Sequence, residues 1–91
     1  MQSRQVNVAN PLGIHARPSA SIVQLASSFD CSASLAFNGR RVNARNILAV
    51  MLLAASAGST ITVETSGIDE REAADALASL IGSRFERGRA V

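Results

Sequence analysis

The chain has 91 residues, 47% of them hydrophobic, which is typical of one globular domain with its own core and argues against a disordered chain. Nine arginines and seven acidic residues leave a formal net charge of only +2. A single cysteine, Cys31, and a single histidine, His15, exclude an internal disulfide and a metal site with the usual set of ligands.

The first predicted strand covers Gln5 to Ala9, where apolar and polar residues alternate as on a half-buried strand. A loop follows at Asn10-Pro11-Leu12, because proline fixes its own φ and favours extended backbone at the preceding residue. The segment from Ala20 to Phe29 has the i, i+3, i+4, i+7 spacing of an amphipathic helix. Pro18 suits the first turn of that helix, where its missing N–H costs nothing.

A β-hairpin is predicted next. Its first strand alternates inward Ala33, Leu35 and Phe37 with small or polar residues, and Cys31 is expected to be an unreactive small residue at the strand start. Asn38-Gly39 is typical of a tight type I′ turn, because both residues tolerate positive φ. The return strand covers Arg40 to Ala44.

Asn46 is a suitable N-cap for a helix from Ile47 to about Ala55. This longest apolar run is far too short to span a bilayer, and we expect a cytoplasmic protein without membrane insertion. A helix that is apolar on all sides is either buried or presents one face to a partner. Ile47, Leu48 and Met51 share one face and are candidates for partner docking, whereas burial in the core is the alternative for each.

The fourth strand is predicted at Thr60 to Thr65, followed by a turn at Ser66-Gly67. Asp69 and Glu72 have the spacing of a capping box and place the start of the last helix there. The predicted apolar stripe of this helix consists of Ala73, Leu77, Leu80 and Ile81. We expect the helix to end between Gly82 and Phe85 and the tail from Glu86 to Val91 to be frayed.

The predicted order is therefore βαββαβα within one domain spanning residues 1–91. Alternating strands combined with helices that are apolar on one face indicate an α+β fold. We expect an open-faced two-layer sandwich, in which three helices cover one face of a four-stranded antiparallel sheet.

The candidate site is Gly13-Ile14-His15-Ala16-Arg17-Pro18, which contains the only histidine. At a helix N-terminus, the unpaired backbone N–H groups of Ala16 and Arg17 and the positive end of the helix dipole can bind an anion. The Arg17 guanidinium suits phosphate oxygens. The same field opposes protonation of His15, and a neutral imidazole is what reversible phosphoryl transfer requires. On these residues alone, a solvated loop histidine remains the alternative.

Two clusters of arginine raise the question of nucleic acid. They are Arg40, Arg41 and Arg45, and Arg84, Arg87 and Arg89. Such clusters and a high pI are typical of nucleic-acid-binding domains. No aromatic stacking platform, zinc pattern or basic helix accompanies them, so we favour a solvated surface and expect no nucleic-acid partner.

The six-residue histidine motif, together with Phe37-Asn38-Gly39 and the segment from Val42 to Leu48, resembles the HPr family of histidine-containing phosphocarriers of the bacterial phosphotransferase system. The likeness extends over nearly the whole chain, including Phe85-Glu86. It implies the open-faced sandwich. It also implies that His15 accepts a phosphoryl group on Nδ1 from enzyme I, charged by phosphoenolpyruvate, and passes it to a histidine of an enzyme IIA component.

The resemblance also implies roles for single residues. Arg17 matches the motif arginine that contacts the phosphoryl oxygens, and Ile47, Leu48 and Met51 match the docking surface. Asn46 stands where many members have a serine that a regulatory kinase phosphorylates. Because an asparagine cannot be phosphorylated, we expect this switch to be absent, along with the negative charge that it would add.

The expected protein is a monomeric phosphoryl carrier that needs no cofactor or metal and has no turnover alone. The alternative within the family is a regulatory module of a nitrogen- or carbon-sensing branch, which signals through His15 without sugar transport. A stand-alone hydrolase or kinase is poorly supported, because no nucleotide-binding loop or second acid–base group accompanies the histidine.

Overall fold

The computed structural model describes residues 1–11, 13–14, 16–53 and 55–83. The strands are β1 (Gln2–Asn7), β2 (Cys31–Phe37), β3 (Arg40–Asn43) and β4 (Thr60–Gly67), and the helices are α1 (Ala16–Ser27), α2 (Ile47–Leu52) and α3 (Glu70–Ile81). Within the described part of the chain, no helix is long and apolar enough to cross a membrane. The arginine cluster beginning at Arg84 and the predicted tail from Glu86 to Val91 lie outside the described residues.

The strands form one antiparallel sheet in the order β1-β4-β2-β3. Asn38 (φ 54°) and Gly39 (φ 80°) form the turn between β2 and β3, and both have the positive φ of the predicted type I′ hairpin. Helix α3 packs on β1, β4 and β2, and α1 packs against α3 and α2. The predicted βαββαβα order and the open-faced α+β sandwich are confirmed.

The core lies between the sheet and the helices and is built from aliphatic side chains. Its largest fully buried members are Ile22, Leu35, Ile61, Leu77 and Ile81. Alternation along β4 is as predicted, with Ile61 and Val63 buried and the intervening polar residues directed to the open face. The predicted apolar stripe of α3 is also confirmed, because all four of its residues are buried.

The predicted bounds of three strands are wrong, and the smallest difference is that β3 ends at Asn43 rather than Ala44. β1 pairs with β4 along Gln2–Asn7, which replaces the predicted Gln5 to Ala9. β4 does not end at Thr65, because Ser66-Gly67 continues the pairing with β2 instead of forming a turn. Backbone pairing with a neighbouring strand therefore extends β1 and β4 through residues whose side chains carry no clear alternation.

The predicted first turn of α1, with Ala16, Arg17 and Pro18, is confirmed, because the helix begins at Ala16. The predicted end is wrong, because α1 ends at Ser27 rather than Phe29. The backbone N–H and the hydroxyl of Ser28 both donate to the carbonyl oxygen of Leu25, at 3.1 and 2.7 Å. These bonds tighten the last turn and end the helix.

Helix α2 is shorter than predicted. The prediction of Asn46 as its N-cap is confirmed, because the side-chain oxygen accepts a hydrogen bond from the Ala49 N–H at 3.1 Å. The helix ends at Leu52 rather than at about Ala55. The Leu53 N–H is shared between two carbonyl oxygens at 3.1 and 3.2 Å, which tightens the final turn.

The predicted capping box of Asp69 and Glu72 is wrong. The Asp69 carboxylate accepts a hydrogen bond from the Asp30 N–H at 2.7 Å, and the Asp69 N–H donates to the Asp30 carbonyl oxygen at 3.2 Å. It makes no capping bond to the first turn of α3. The Glu70 carboxylate instead accepts from the Gly67 N–H at 3.1 Å. A contact with a distant segment thus replaces the local one.

Arg45 caps the C-terminal end of α1 from a distant segment. Its guanidinium donates to the carbonyl oxygens of Ala26 (3.2 and 3.3 Å), Phe29 (2.7 Å) and Cys31 (2.5 Å). A cation there complements the negative end of the helix dipole and satisfies carbonyl groups that the helix leaves unpaired. Cys31 begins β2 and is buried, and this burial raises the pKa of its thiol. The raised pKa agrees with the expected low reactivity.

The other two arginines of the middle cluster also bind groups of this chain. Arg40 donates to the carbonyl oxygen of Leu52 at the end of α2, at 3.3 Å, and Arg41 forms an ion pair with Glu64 on the open face of the sheet. All three guanidinium groups therefore have partners within the fold. This favours a structural use of the cluster over a nucleic-acid surface.

Candidate functional site

Residues 8–11 and 13–14, here called the site loop, precede α1 and contact residues 55–59, here called the connector. Three backbone hydrogen bonds join them: Val8 N–H to the Ser59 oxygen at 2.8 Å, Gly58 N–H to the Val8 oxygen at 2.9 Å, and Ile14 N–H to the Ala55 oxygen at 2.9 Å. The connector follows α2 directly. Helix α2 and the start of α1 are therefore linked through main-chain contacts.

Gly13 is the point of closest approach between the site loop and the connector. Its φ of +73° is in the left-handed region, and a Cβ atom there would lie 2.7 Å from the Ala55 carbonyl oxygen. Glycine is therefore required both for the backbone conformation and for space. The Gly13 N–H donates to the Asn10 carbonyl oxygen at 2.9 Å, and the Asn10 side-chain amide donates back to the Gly13 carbonyl oxygen at 2.7 Å.

His15, the predicted phosphoryl acceptor, lies outside the described residues. In the sequence it stands between Ile14, which is buried, and Ala16, the first residue of α1. Its neutral imidazole and its role as phosphoryl acceptor therefore stay predictions.

The start of α1 has the features that an anion site needs. Ala16 and Arg17 are exposed and belong to the first turn, whose N–H groups have no acceptor within the helix. No acidic residue lies in that turn, and no ion pair of Arg17 with another described residue is present. The helix dipole and the guanidinium therefore both present positive charge to the solvent. Pro18 is buried in the same turn, as its predicted position requires.

Ser19 is a residue that the sequence did not single out. It lies in α1, is fully buried, and its hydroxyl has no hydrogen-bond partner among the residues that the structure describes. A buried hydroxyl without a partner destabilises the folded state. Sequence pattern gave no signal for it, because a serine near a helix start usually indicates capping.

The predicted docking residues lie on the outer side of α2. Ile47, Leu48 and Met51 are all exposed, so they do not belong to the core. Leu52, which is 60% exposed, extends this apolar surface and was missed, although its i+4 spacing from Leu48 could have indicated it. Val50 and Leu53 supply the buried side of the segment.

The side chain of Asn46, where the resemblance predicts the loss of a regulatory serine, is engaged as the N-cap of α2. An amide there provides the capping acceptor but no hydroxyl to phosphorylate. Among the residues that the structure describes, no group of three or more His, Cys, Asp or Glu side chains could hold a metal ion.

An open-faced α+β sandwich with an exposed, cationic helix start directly after a unique histidine defines a small phosphoryl-carrier domain. A family model described as "PTS HPr component phosphorylation site" matches residues 2–83. The chain belongs to the HPr family of phosphocarriers of the phosphotransferase system. The resemblance stated from the motifs is thereby confirmed.

Individual relatives support the same assignment. The phosphocarrier protein HPr of Cupriavidus necator is 50% identical over 97% of this chain and 99% of its own length. The crystal structure of HPr-C-His from Thermoanaerobacter tengcongensis has a TM-score of 0.88 and 38% identity, and the match covers 93% of this chain and 96% of that one. Bacillus subtilis Crh, described as a catabolite repression protein with a swapped dimer, has a TM-score of 0.74 and 37% identity, covering 92% of this chain and 97% of that one.

Proposed function

We propose that His15 accepts a phosphoryl group from phosphoenolpyruvate-charged enzyme I and passes it to a histidine of an enzyme IIA component in the cytoplasm. The observation that carries this proposal is the start of α1. The helix begins at Ala16, directly after the histidine, and exposes Arg17 without an acidic residue in its first turn.

The chemistry follows from that arrangement. A neutral His15 attacks the phosphorus through Nδ1, so that the new P–N bond forms while the bond to enzyme I breaks. The transferred oxygens then face the N–H groups of Ala16 and Arg17 and the guanidinium. A helix terminus and one cation at an exposed site supply about 1–2 kcal/mol, which stabilises the phosphorylated state without preventing onward transfer.

Docking is the second requirement of a carrier that works between two proteins. The exposed side chains of Ile47, Leu48 and Met51 form an apolar surface on α2, the helix that leads into the connector. We propose that enzyme I and the acceptor bind this same surface in turn. No metal, cofactor or deep pocket of this chain takes part in the reaction.

A regulatory carrier is the second candidate, and the similarity to Crh favours keeping it. In that case His15 is phosphorylated as a signal and no sugar-transporting acceptor removes the phosphoryl group. The two candidates differ in their acceptor. Capture of proteins that discharge the phosphorylated chain separates them, because a sugar-specific IIA component indicates transport.

We propose a monomer as the working form. The swapped dimer described for Crh makes a dimer the competing outcome, and β1 is an edge strand whose neighbour in the sheet is β4. Sedimentation equilibrium at several protein concentrations decides between the two. A mass of 9.5 kDa at all concentrations supports the monomer.

Incubation with enzyme I and phosphoenolpyruvate tests the proposed reaction. We expect one acid-labile phosphoryl adduct per chain, located on His15, and none in His15→Ala. Circular dichroism of the variant serves as the control for folding. Absence of an adduct on the wild-type chain, with an enzyme I that phosphorylates another carrier in parallel, would contradict the proposal.

A further inference from the structure

The site loop contains a side chain to which no role has been given. Asn10 is only 9% exposed, although it lies in a loop and has a polar side chain. The side-chain nitrogen of Asn10, Nδ2, donates to the Gly13 carbonyl oxygen at 2.7 Å, and the backbone carbonyl oxygen of Asn10 accepts from the Gly13 N–H at 2.9 Å. Asn10 therefore forms hydrogen bonds with both the N–H and the carbonyl oxygen of Gly13.

These contacts restrain the peptide unit that joins Gly13 to Ile14. The Gly13 carbonyl group and the Ile14 N–H belong to the same planar unit. Its oxygen is bound by the Asn10 amide at 2.7 Å, and its N–H is bound by the Ala55 carbonyl oxygen at 2.9 Å. With both polar atoms held in fixed directions, the unit cannot rotate without breaking a hydrogen bond.

This peptide unit ends at Ile14, the residue that precedes His15 in the sequence. The Ile14 side chain is buried, which adds a third constraint, and α1 begins immediately after the histidine. The Gly13–Ile14 unit therefore fixes the direction of the chain at Ile14, the residue that precedes His15 in the sequence.

We propose that Asn10 is a positioning residue for phosphoryl transfer, whose side-chain amide fixes the Gly13–Ile14 peptide unit and through it the direction of His15. This inference rests on the proposed function of His15. Asn10 does not contact the phosphoryl group in this account. By restricting the orientations of the imidazole, Asn10 lowers the entropic cost of reaching the reactive one.

Two substitutions isolate the hydrogen-bond donor. Asn10→Asp keeps the shape of the side chain but has no donor at neutral pH, whereas Asn10→Ala removes the donor without adding charge. Asn7→Ala is the matched control, because Asn7 is an exposed asparagine of β1 whose side chain accepts a hydrogen bond from Thr60 at 2.8 Å, outside the site loop.

Rates of phosphorylation by enzyme I give the first readout. We expect both Asn10 variants to lower kcat by about tenfold, in line with the cost of a small misplacement. KM for the carrier stays within about twofold, because the α2 surface is unchanged. Asn7→Ala leaves both constants unchanged. Equal kcat values for Asn10→Ala, Asn7→Ala and wild type would overturn the proposal, as would a loss confined to KM.

NMR of the unphosphorylated chain gives a second readout that does not depend on phosphorylation. His15 is the only histidine, so its ring signals are unambiguous. In Asn10→Ala we expect those signals to move and the Ile14 amide to exchange at least about tenfold faster, since its peptide unit has lost one anchor. Unchanged ring signals and exchange would overturn the proposal. If wild type takes no phosphoryl group, the proposed function fails, and this readout alone decides the role of Asn10.

Discussion

Two helices of this molecule, α1 and α3, have the same length, but their first turns differ in charge. α1 and α3 each have 12 residues, and each has an arginine as its second residue, Arg17 and Arg71. The first turn of α3 contains Glu70 and Glu72, whereas the first turn of α1 contains no acidic residue. The positive end of the dipole is therefore compensated by the chain itself in α3 and left uncompensated in α1.

The hydrogen-bond partners of Glu70 show what the acidic first turn of α3 contributes to the fold. Glu70 accepts from the Gly67 N–H at 3.1 Å and binds the N-terminal ammonium group of Met1 at 2.9 Å. These contacts join β1, β4 and α3, so that end of the molecule serves the fold. Among the described residues, no acidic group lies in the first turn of α1 or pairs with Arg17, so this helix start is available to an anion from outside. The comparison indicates that a missing carboxylate, rather than an added feature, distinguishes the proposed site.

The largest expected effects are those of substitutions in the segment that follows Asn46, where one buried and one exposed leucine are compared. Leu53 is 3% exposed and Leu48 is 63% exposed. We expect Leu53→Ala to lower the free energy of unfolding by about 2–5 kcal/mol, because it leaves a cavity. Leu48→Glu should change that free energy by no more than about 0.5 kcal/mol.

Affinity for enzyme I should show the reverse order, with Leu48→Glu weakening binding at least about tenfold by placing a charge in an apolar interface. Urea titrations and calorimetry measure the two quantities. Unfolding of Leu48→Glu would mean that the α2 surface is part of the core.

The matched arginines test the comparison directly. Removal of Arg17 should slow phosphoryl transfer by up to about 30-fold, because the guanidinium supplies part of the stabilisation of about 1–2 kcal/mol that the phosphoryl group receives at this exposed site. Arg71→Ala, at the equivalent position of α3, should leave the rate unchanged. Both side chains are exposed, so both melting temperatures should stay close to that of the wild type. A large fall in melting temperature for Arg17→Ala would contradict its role as a surface phosphate ligand.

The fourth residues of α1 and α3 form another matched pair. Ser19 and Ala73 are both fully buried, but only Ser19 carries a hydroxyl, and that hydroxyl has no partner in the described part of the chain. We expect Ser19→Ala to raise the free energy of unfolding by about 1 kcal/mol and Ala73→Ser to lower it by at least as much. Thermal unfolding measures both changes. Destabilisation by Ser19→Ala would show that the hydroxyl is bound in the folded protein.

The smallest expected effect concerns pH at the α3 end. The hydrogen bond with the N-terminal ammonium group, followed by that from the Gly67 N–H, lowers the pKa of Glu70. A lowered pKa in the folded state stabilises the protein above the ordinary pKa of glutamate, and this stabilisation is lost as the pH falls through the lowered value.

The stability advantage of wild type over Glu70→Gln should therefore be constant near neutral pH and disappear in acid below about pH 4. Denaturant midpoints between pH 3 and 7 measure it. A difference that grows in acid would contradict the assigned direction. Phosphoryl transfer near neutral pH should be the same in both proteins.

Much of the fold could be predicted because its signals are local. The Asn38-Gly39 hairpin follows from the backbone preferences of two adjacent residues, and the buried stripe of α3 follows from helical spacing. The histidine motif and the capping role of Asn46 were likewise available from neighbouring residues. Patterns of this kind determined the order of elements, the fold class and the place of the candidate site.

Only the tertiary structure decided where elements end and which polar groups pair. Arg45 caps α1 from beyond β3, Asp69 binds Asp30 rather than its own helix, and the site loop that contains the buried Asn10 is hydrogen-bonded to the connector. Each contact joins segments that are distant in sequence, or depends on a packing that only such segments create. Local propensity cannot specify these choices, because the competing hydrogen bonds have similar energies until the fold brings one partner within reach.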